Sequence, residues 1–175
     1  MRRTRSDMVV QVFVLGVDPG LSRCGYCCLD GAARPARPVA LGVITTPPSD
    51  PVPIRLAELQ AEIRSLLDEC APSVVAIERV LFQNNVRTAM SVGQASGVVM
   101  AEAASRGCHV VEYSPNQVKE AVAGYGSAGK EQVTQMVQTL LGLSRPPRPA
   151  DAADAAAIAL CHLAQSTAMV TGGSR

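Results

Sequence analysis

The stretch Met8–Val17 (MVVQVFVLGV), followed at once by Asp18-Pro19-Gly20, decides the fold class of this chain. A valine-rich run that ends at a Pro-Gly turn predicts a buried strand that stops at Asp18. A carboxylate at the end of a buried strand is costly unless it is solvated, paired or bound to a metal ion. Asp18 is therefore the first candidate functional residue. An Asp that simply opens a turn is a common alternative, and this residue alone does not decide between them.

Two more extended segments, at about 23–30 and 39–46, predict an antiparallel meander together with the first strand. Helical spacing of apolar residues and short apolar runs predict the remaining elements. These are a helix over Ile54–Cys70, a strand over Ser73–Ile77, a helix from Asn84 or Asn85 to Arg106, a strand over Cys108–Tyr113, and helices over Pro115–Ala123, Lys130–Leu143 and Ala150 to about Gln165. The order βββαβαβααα predicts an α/β fold in which a five-stranded mixed sheet is flanked by helices.

The length of 175 residues is typical of one domain. We expect a single domain over residues 9–166, a flexible N-terminal tail over 1–8 and a flexible C-terminal tail over 167–175. The chain has no apolar run long enough to predict a membrane span. Its six cysteines follow no regular framework and most lie in apolar segments, which favours a reducing cytoplasm.

Glu78 is the second candidate, because it directly follows the short buried strand Ser73–Ile77 and the sheet would carry it inward with Asp18. An ion pair with Arg79 or a nearby Lys is the alternative. Asp151 and Asp154 open an apolar helix one turn apart and therefore lie on one face. Helix capping explains either of them but not easily both.

Four carboxylates from two strand ends and one helix start are the oxygen ligands that hard divalent cations require. Two Mg²⁺ ions held in this way would support hydrolysis of a phosphodiester. The formal net charge of +1 is low for a nucleic-acid binder. If the four acids are ligands, the rest of the chain has 16 basic and 15 − 4 = 11 acidic residues, which leaves a modest basic surface.

Six motifs, taken in order and with their spacing, resemble the RuvC family, and the likeness runs from about Val10 to His162. They are Leu15–Gly20 (LGVDPG) with Gly25, Ala76–Val80, Gly93–Gly97, Gln117–Lys119, Gly124–Lys130 and Asp151–Ala156. The resemblance implies a ribonuclease-H-like fold and a homodimer in the bacterial cytoplasm. It also implies paired symmetric nicks at a Holliday junction, with two Mg²⁺ ions per site, Mn²⁺ as a substitute, and the RuvAB complex as partner.

The resemblance also assigns roles to residues. It implies that Asp18, Glu78, Asp151 and Asp154 are the metal ligands. Lys119 and Lys130 are expected to face the DNA backbone, and Lys130 to stabilise the charge that develops on the phosphate. Further DNA contacts are expected from the loop after Glu78 and from the start of the long helix, at Leu81, Phe82, Asn84 and Arg87.

One position departs from the family pattern. The family usually has an aromatic residue three positions after the strand-end Glu, where it can stack on an unpaired base, and this chain has Leu81 there. Either the neighbouring Phe82 takes over this role or Leu81 itself acts as an apolar wedge.

The long helix carries small residues four apart at Gly93, Gly97 and Ala101. We expect them to pack against the chain's own sheet. Neighbouring positions such as Met90 and Met100 would then be available for a dimer contact.

Three other functions are compatible with parts of the sequence. Asp18-Pro-Gly20 with Gly25 also fits the phosphate loop of actin-like and sugar-kinase ATPases, but those enzymes need two such halves and this chain has the length of one. A ribonuclease that acts on RNA–DNA hybrids would share the four acids. A junction-binding protein without catalysis is the third, and the four acids argue against it.

Overall fold

The computed structural model describes residues 12–81 and 86–172, with side chains as far as residue 167. The element order is the predicted one. The elements are β1 (Phe13–Asp18), β2 (Arg23–Asp30), β3 (Arg37–Thr45), α1 (Val52–Cys70), β4 (Val74–Glu78), α2 (Val86–Ser105), β5 (His109–Tyr113), α3 (Pro115–Ala123), α4 (Lys130–Leu140) and α5 (Ala150–Gly172). Among the described residues, no helix is both long and apolar enough to cross a membrane.

The five strands form one mixed sheet in the order β3-β2-β1-β4-β5. The pairs β1/β2 and β2/β3 are antiparallel, whereas β1/β4 and β4/β5 are parallel. The predicted meander and mixed sheet are therefore confirmed. Because β1 and β4 are parallel neighbours with Val17 opposite Ile77, Asp18 and Glu78 emerge together at one edge of the sheet.

Helices cover both faces of the sheet, and the alternation of side chains along β1 supplies both cores. Val14 is fully buried in the core beneath α3, α4 and α5. Leu15 and Val17 are fully buried in the core beneath α1 and α2. The near-continuous apolar run of β1 is thus the pattern of a central strand that is covered on two sides.

Two glycines allow α5 to lie directly on the sheet. A Cβ at Gly16 would stand 2.1 Å from the carbonyl oxygen of Ala155, and one at Gly25 would stand 2.1 Å from the carbonyl oxygen of Asp151. Any side chain at these positions would push the helix away. Since Gly25 pairs with Asp18 in the sheet, this contact brings the first turn of α5 over the end of β1.

The C-terminal helix is longer than predicted. α5 continues past Gln165 to Gly172, so the predicted end of this helix is wrong, whereas the flexible tail over 167–175 stays a prediction. The sequence has no Pro or Gly between Pro149 and Gly172 that would end the helix earlier. Residues 173–175 and the expected N-terminal tail over 1–8 lie outside the described residues.

The small residues of α2 do not pack against the sheet, and that prediction is wrong. Gly93, Gly97 and Ala101 are all exposed, and a Cβ at Gly93 or Gly97 would meet no atom within 4 Å. The buried face of α2 instead carries a different set of residues, namely Ala89, Ala95, Ser96, Val99, Glu102 and Ala103. The four-residue spacing is real, but it marks the outer face of the helix.

Candidate active site

A cleft of about 260 Å³ opens at the sheet edge where β1 and β4 end. Asp18 and Glu78 form its floor, α5 contributes Asp154, and the basic wall comes from α3 and α4. The residues that line it are Asp18, Glu78, Pro115, Val118, Lys119, Lys130, Val133, Asp154 and Ala157. Three of the four predicted acids and both predicted lysines therefore share one cavity.

The two acids of α5 are each held by a basic side chain from another element. Lys130, the first residue of α4, donates from Nζ to Oδ2 of Asp154 at 2.8 Å. Arg23, the first residue of β2, donates from Nε to Oδ2 of Asp151 at 2.8 Å, and its Nη2 lies 2.8 Å from the same oxygen in the ion pair. The negative charges of Asp151 and Asp154 are thus partly neutralised by basic side chains of the same chain.

Asp18 lies in a strongly negative environment. Burial is the largest cause that raises its pKa, and the nearby carboxylates of Glu78, Asp154 and Asp151 raise it further, to about 7, against a smaller opposing effect of Lys130. Burial and the charge of Asp154 also raise the pKa of Glu78. A cation in the cleft would offset the carboxylate repulsion that contributes to both shifts.

The chemistry of these groups suits a hard divalent cation, since all four acids offer carboxylate oxygens. As the side chains stand in the described residues, no three His, Cys, Asp or Glu groups are close enough to hold one ion. Two of the four acids are instead paired with basic side chains, Asp151 with Arg23 and Asp154 with Lys130. A bound cation would have to replace these two partners.

Lys130 and Lys119 supply positive charge on the α3 and α4 side of the cleft. The hydrogen bond to Asp154 raises the pKa of Lys130, which therefore remains protonated at neutral pH. Lys119 is half-buried in the cleft wall, where its charge partly offsets the rise in the pKa of Glu78. The cleft thus combines an acidic floor with a basic rim.

The remaining predicted DNA contacts are less completely described. Leu81, which follows β4, and Arg87, in the first turn of α2, are both exposed. Phe82 and Asn84 lie outside the described residues. The roles of all four in DNA binding remain predictions.

Sequence reasoning missed Arg23. Its position contained a signal, because Arg23 and Gly25 are two residues apart in a strand and therefore face the same side of the sheet. Gly25 belongs to the motif that carries the family resemblance, and α5 packs directly on it. Arg23, two positions before that glycine, therefore faces the acids that open α5.

Comparison with known proteins shows the family of this chain. The family model described as crossover junction endodeoxyribonuclease RuvC matches residues 14–162. The protein of that name from Rhodococcus opacus is 53% identical over 150 residues, which are 85% of this chain and 79% of the relative. The one from Salinispora arenicola is 50% identical over 151 residues, which are 86% of each chain.

A solved structure of Thermus thermophilus RuvC superposes with a TM-score of 0.83 at 36% identity, over 89% of this chain and 96% of that one. The T. thermophilus RuvC solved in complex with a Holliday junction substrate gives 0.84 at 37% identity, over 89% and 94%. The predicted ribonuclease-H-like fold is confirmed by these matches. With the fold, the sequence match over residues 14–162 and the acidic cleft in agreement, this chain belongs to the RuvC family of crossover junction endodeoxyribonucleases.

Proposed function

We propose that a homodimer of this chain resolves four-way DNA junctions by cutting one phosphodiester in each of two symmetric strands, in a metal-dependent hydrolysis. The observation that carries the proposal is the convergence of Asp18, Glu78 and Asp154 with two lysines in one cleft. The solved Thermus relative in complex with a Holliday junction, at 37% identity, supports the choice of substrate.

Asp18, Glu78, Asp151 and Asp154 would hold the metal, which we propose is Mg²⁺, two ions per site, with Mn²⁺ as a substitute. When bound, such ions activate water for attack and stabilise the leaving oxygen at phosphorus. The raised pKa values of Asp18 and Glu78 support this assignment, because burial first, and neighbouring carboxylates second, disfavour their negative charge, which a cation would balance.

Lys130 and Lys119 would bind the phosphate that is cut. Lys130 is paired with Asp154 in the free chain, and its side chain is largely exposed on the cleft rim. Once Asp154 is engaged by a cation, the ammonium group is free to donate to a phosphate oxygen. The positive charge of Lys130 would then stabilise the negative charge that develops as the bond to phosphorus breaks.

A homodimer would supply the two active sites that paired nicks require. The outer face of α2 supports this proposal because it exposes apolar side chains, among them Val86 at 69% and Met90 at 59%. Gly93 and Gly97 lie farther along the same helix and are exposed. Small residues there would let a second backbone approach closely, which is the use we now propose for this spacing.

The remaining expectations stay proposals. We propose a bacterial cytoplasmic location, which is supported by the bacterial relatives and by six cysteines that are all free. We also propose the RuvAB branch-migration complex as partner and residues 9–166 as the nuclease domain.

The test is incubation with an end-labelled four-way junction in Mg²⁺ or Mn²⁺, beside a linear duplex and an RNA–DNA hybrid. We expect paired symmetric nicks in the junction alone, which disappear when the metal is chelated and in the Asp18→Asn variant. The Glu62→Gln variant, altered at an exposed acid on α1, serves as the control and should cut normally. Equal cutting of the hybrid, or no cutting by folded protein with either metal, would contradict the proposal.

A further inference from the structure

Arg23 lies beside the cleft: it does not line the cavity itself, but its partner Asp151 is in the same first turns of α5 as Asp154, which does. It begins β2, and its partner in the sheet is Thr45 of β3, whereas Lys119 and Lys130 belong to α3 and α4. The side chain of Arg23 is 49% exposed, and its only ion pair within the described residues is with Asp151. Each of the two acids of α5 thus has a basic partner, Arg23 for Asp151 and Lys130 for Asp154.

The fold does not depend on the side chain of Arg23. The turn before β2 is held by Arg55, which is buried and donates to Oγ1 of Thr46 at 3.0 Å and to Oγ of Ser22 at 2.6 Å. Thr46 in turn donates to the carbonyl oxygen of Leu21 at 2.6 Å. An exposed ion pair such as Arg23–Asp151 adds little to stability. Its presence at this position therefore calls for a functional reason.

The ion pair also leaves part of the binding capacity of the guanidinium unused. Two donors of the planar guanidinium, Nε and Nη2, converge on the single oxygen Oδ2 of Asp151. A phosphate offers two oxygens at the spacing of these donors, so it accepts both in parallel, one oxygen for each. A cation bound by Asp151 would weaken the hold of that carboxylate on Arg23.

We propose that Arg23 is a phosphate-binding residue of the junction site, which holds Asp151 in the free chain and moves to a DNA backbone phosphate beside the cut when a cation engages Asp151. This inference rests on the proposed function, since it needs both the metal and the DNA. It adds a third basic contact to Lys119 and Lys130, on the β2 side of the cleft.

The first test measures binding of a labelled four-way junction over a range of salt concentrations, in Ca²⁺ and in EDTA, with a gel to verify that the DNA remains uncut. Loss of one phosphate contact lowers the slope of log Kobs against log salt by about 1. We expect Arg23→Ala to lose this much in Ca²⁺ and less in EDTA, where Arg23 is still paired with Asp151. Arg23→Lys keeps the charge and should retain the wild-type slope with weaker binding.

The matched control is Arg37→Ala. Arg37 is an exposed arginine that pairs with Asp30 at the opposite end of β2, with 3.8 Å between Nη2 and Oδ2. Its removal should leave the salt slope unchanged. An unchanged slope for Arg23→Ala in Ca²⁺, or the same loss in both Arg→Ala variants, would overturn the inference.

The second test measures metal binding without DNA, as the rise in melting temperature with added Mn²⁺. Because Arg23 competes with the cation for Asp151, Arg23→Ala should need a lower Mn²⁺ concentration for half of the rise. A higher concentration would mean that Arg23 only orients Asp151, and would overturn the exchange. If the wild-type chain shows no rise with Mn²⁺ and no preference for the junction, the proposed function fails first, and the two failures are thereby distinguished.

Discussion

Acidic side chains in two regions of this chain, half-buried in the cleft and buried between α1 and α2, have opposite electrostatics. In the cleft, burial and neighbouring carboxylates raise the pKa of Asp18 to about 7. Between α1 and α2, Glu102 is only 6% exposed, yet hydrogen bonds from Arg64 and Gln60 lower its pKa to about 2. The carboxylate of Glu102 has hydrogen-bond and ion-pair partners within the fold, whereas that of Asp18 has none among the residues that the structure describes.

The partners of Glu102 explain the difference. Its Oε1 accepts from Gln60 at 2.6 Å and from Arg64 at 2.8 Å, and its Oε2 accepts from Arg106 at 2.8 Å. Arg106 also pairs with Asp68, so the group joins α1 to α2. The chain itself balances the charge of Glu102, whereas the unbalanced charge of Asp18 supports the proposal that this residue binds a cation.

The largest expected effect comes from neutralising the cleft. Asp18→Asn should lower the rate of junction cutting by at least about 100-fold, since loss of a metal's outer partners alone costs 10–100-fold. The same change removes one of four clustered negative charges. The melting temperature without metal should therefore stay the same or rise, as measured by thermal unfolding. A large fall in stability would contradict the comparison.

Neutralising Glu102 should have the opposite result. In Glu102→Gln the charges of Arg64 and Arg106 lose their common partner, so we expect a melting temperature lower by several degrees with normal cutting below it. Thermal unfolding and a cutting assay measure the two outcomes. Glu62→Gln on the exposed face of α1 is the control and should melt as the wild type does. Equal melting of both variants would show that the α1–α2 group is not structural.

Added metal should sharpen the contrast. Mg²⁺ at 100 times its Kd raises the free energy of unfolding by about 2.7 kcal/mol for one site. We expect a rise of this order in the wild type and in Glu102→Gln, and little or none in Asp18→Asn. Calorimetry with and without chelator measures it. A full rise in Asp18→Asn would place the metal elsewhere.

The smallest expected effect is on pH dependence. Because the pKa of Glu102 is about 2 in the folded chain and 4.5 ordinarily, its stabilisation is complete above pH 4.5 and is lost as the pH falls through 2. The difference in melting temperature between wild type and Glu102→Gln should therefore shrink as the pH is lowered from about 5 to about 3. A constant difference would mean that the charge of Glu102 is not what stabilises the contact.

Much of the fold and part of the site could be predicted from local patterns. The apolar run before Asp18 predicted a buried strand, and the order of elements predicted the mixed sheet. Asp18 and Glu78 could be placed together because the carboxyl ends of parallel neighbouring strands share an edge. The end of α5 and the exposed small residues of α2 were predicted wrongly, since helical spacing alone does not say which face packs.

The sequence by itself determined that strand-end acids and a helix-start pair of acids exist in this chain, because strand and helix periodicity are local properties of neighbouring residues. Only the tertiary structure decided which charges meet. Arg23 reaches Asp151 across 128 positions and Arg64 reaches Glu102 across 38. Such contacts depend on how the helices pack against the sheet, for example on the close approach of α5 that Gly16 and Gly25 allow. A local sequence pattern does not encode contacts between residues so far apart in the chain.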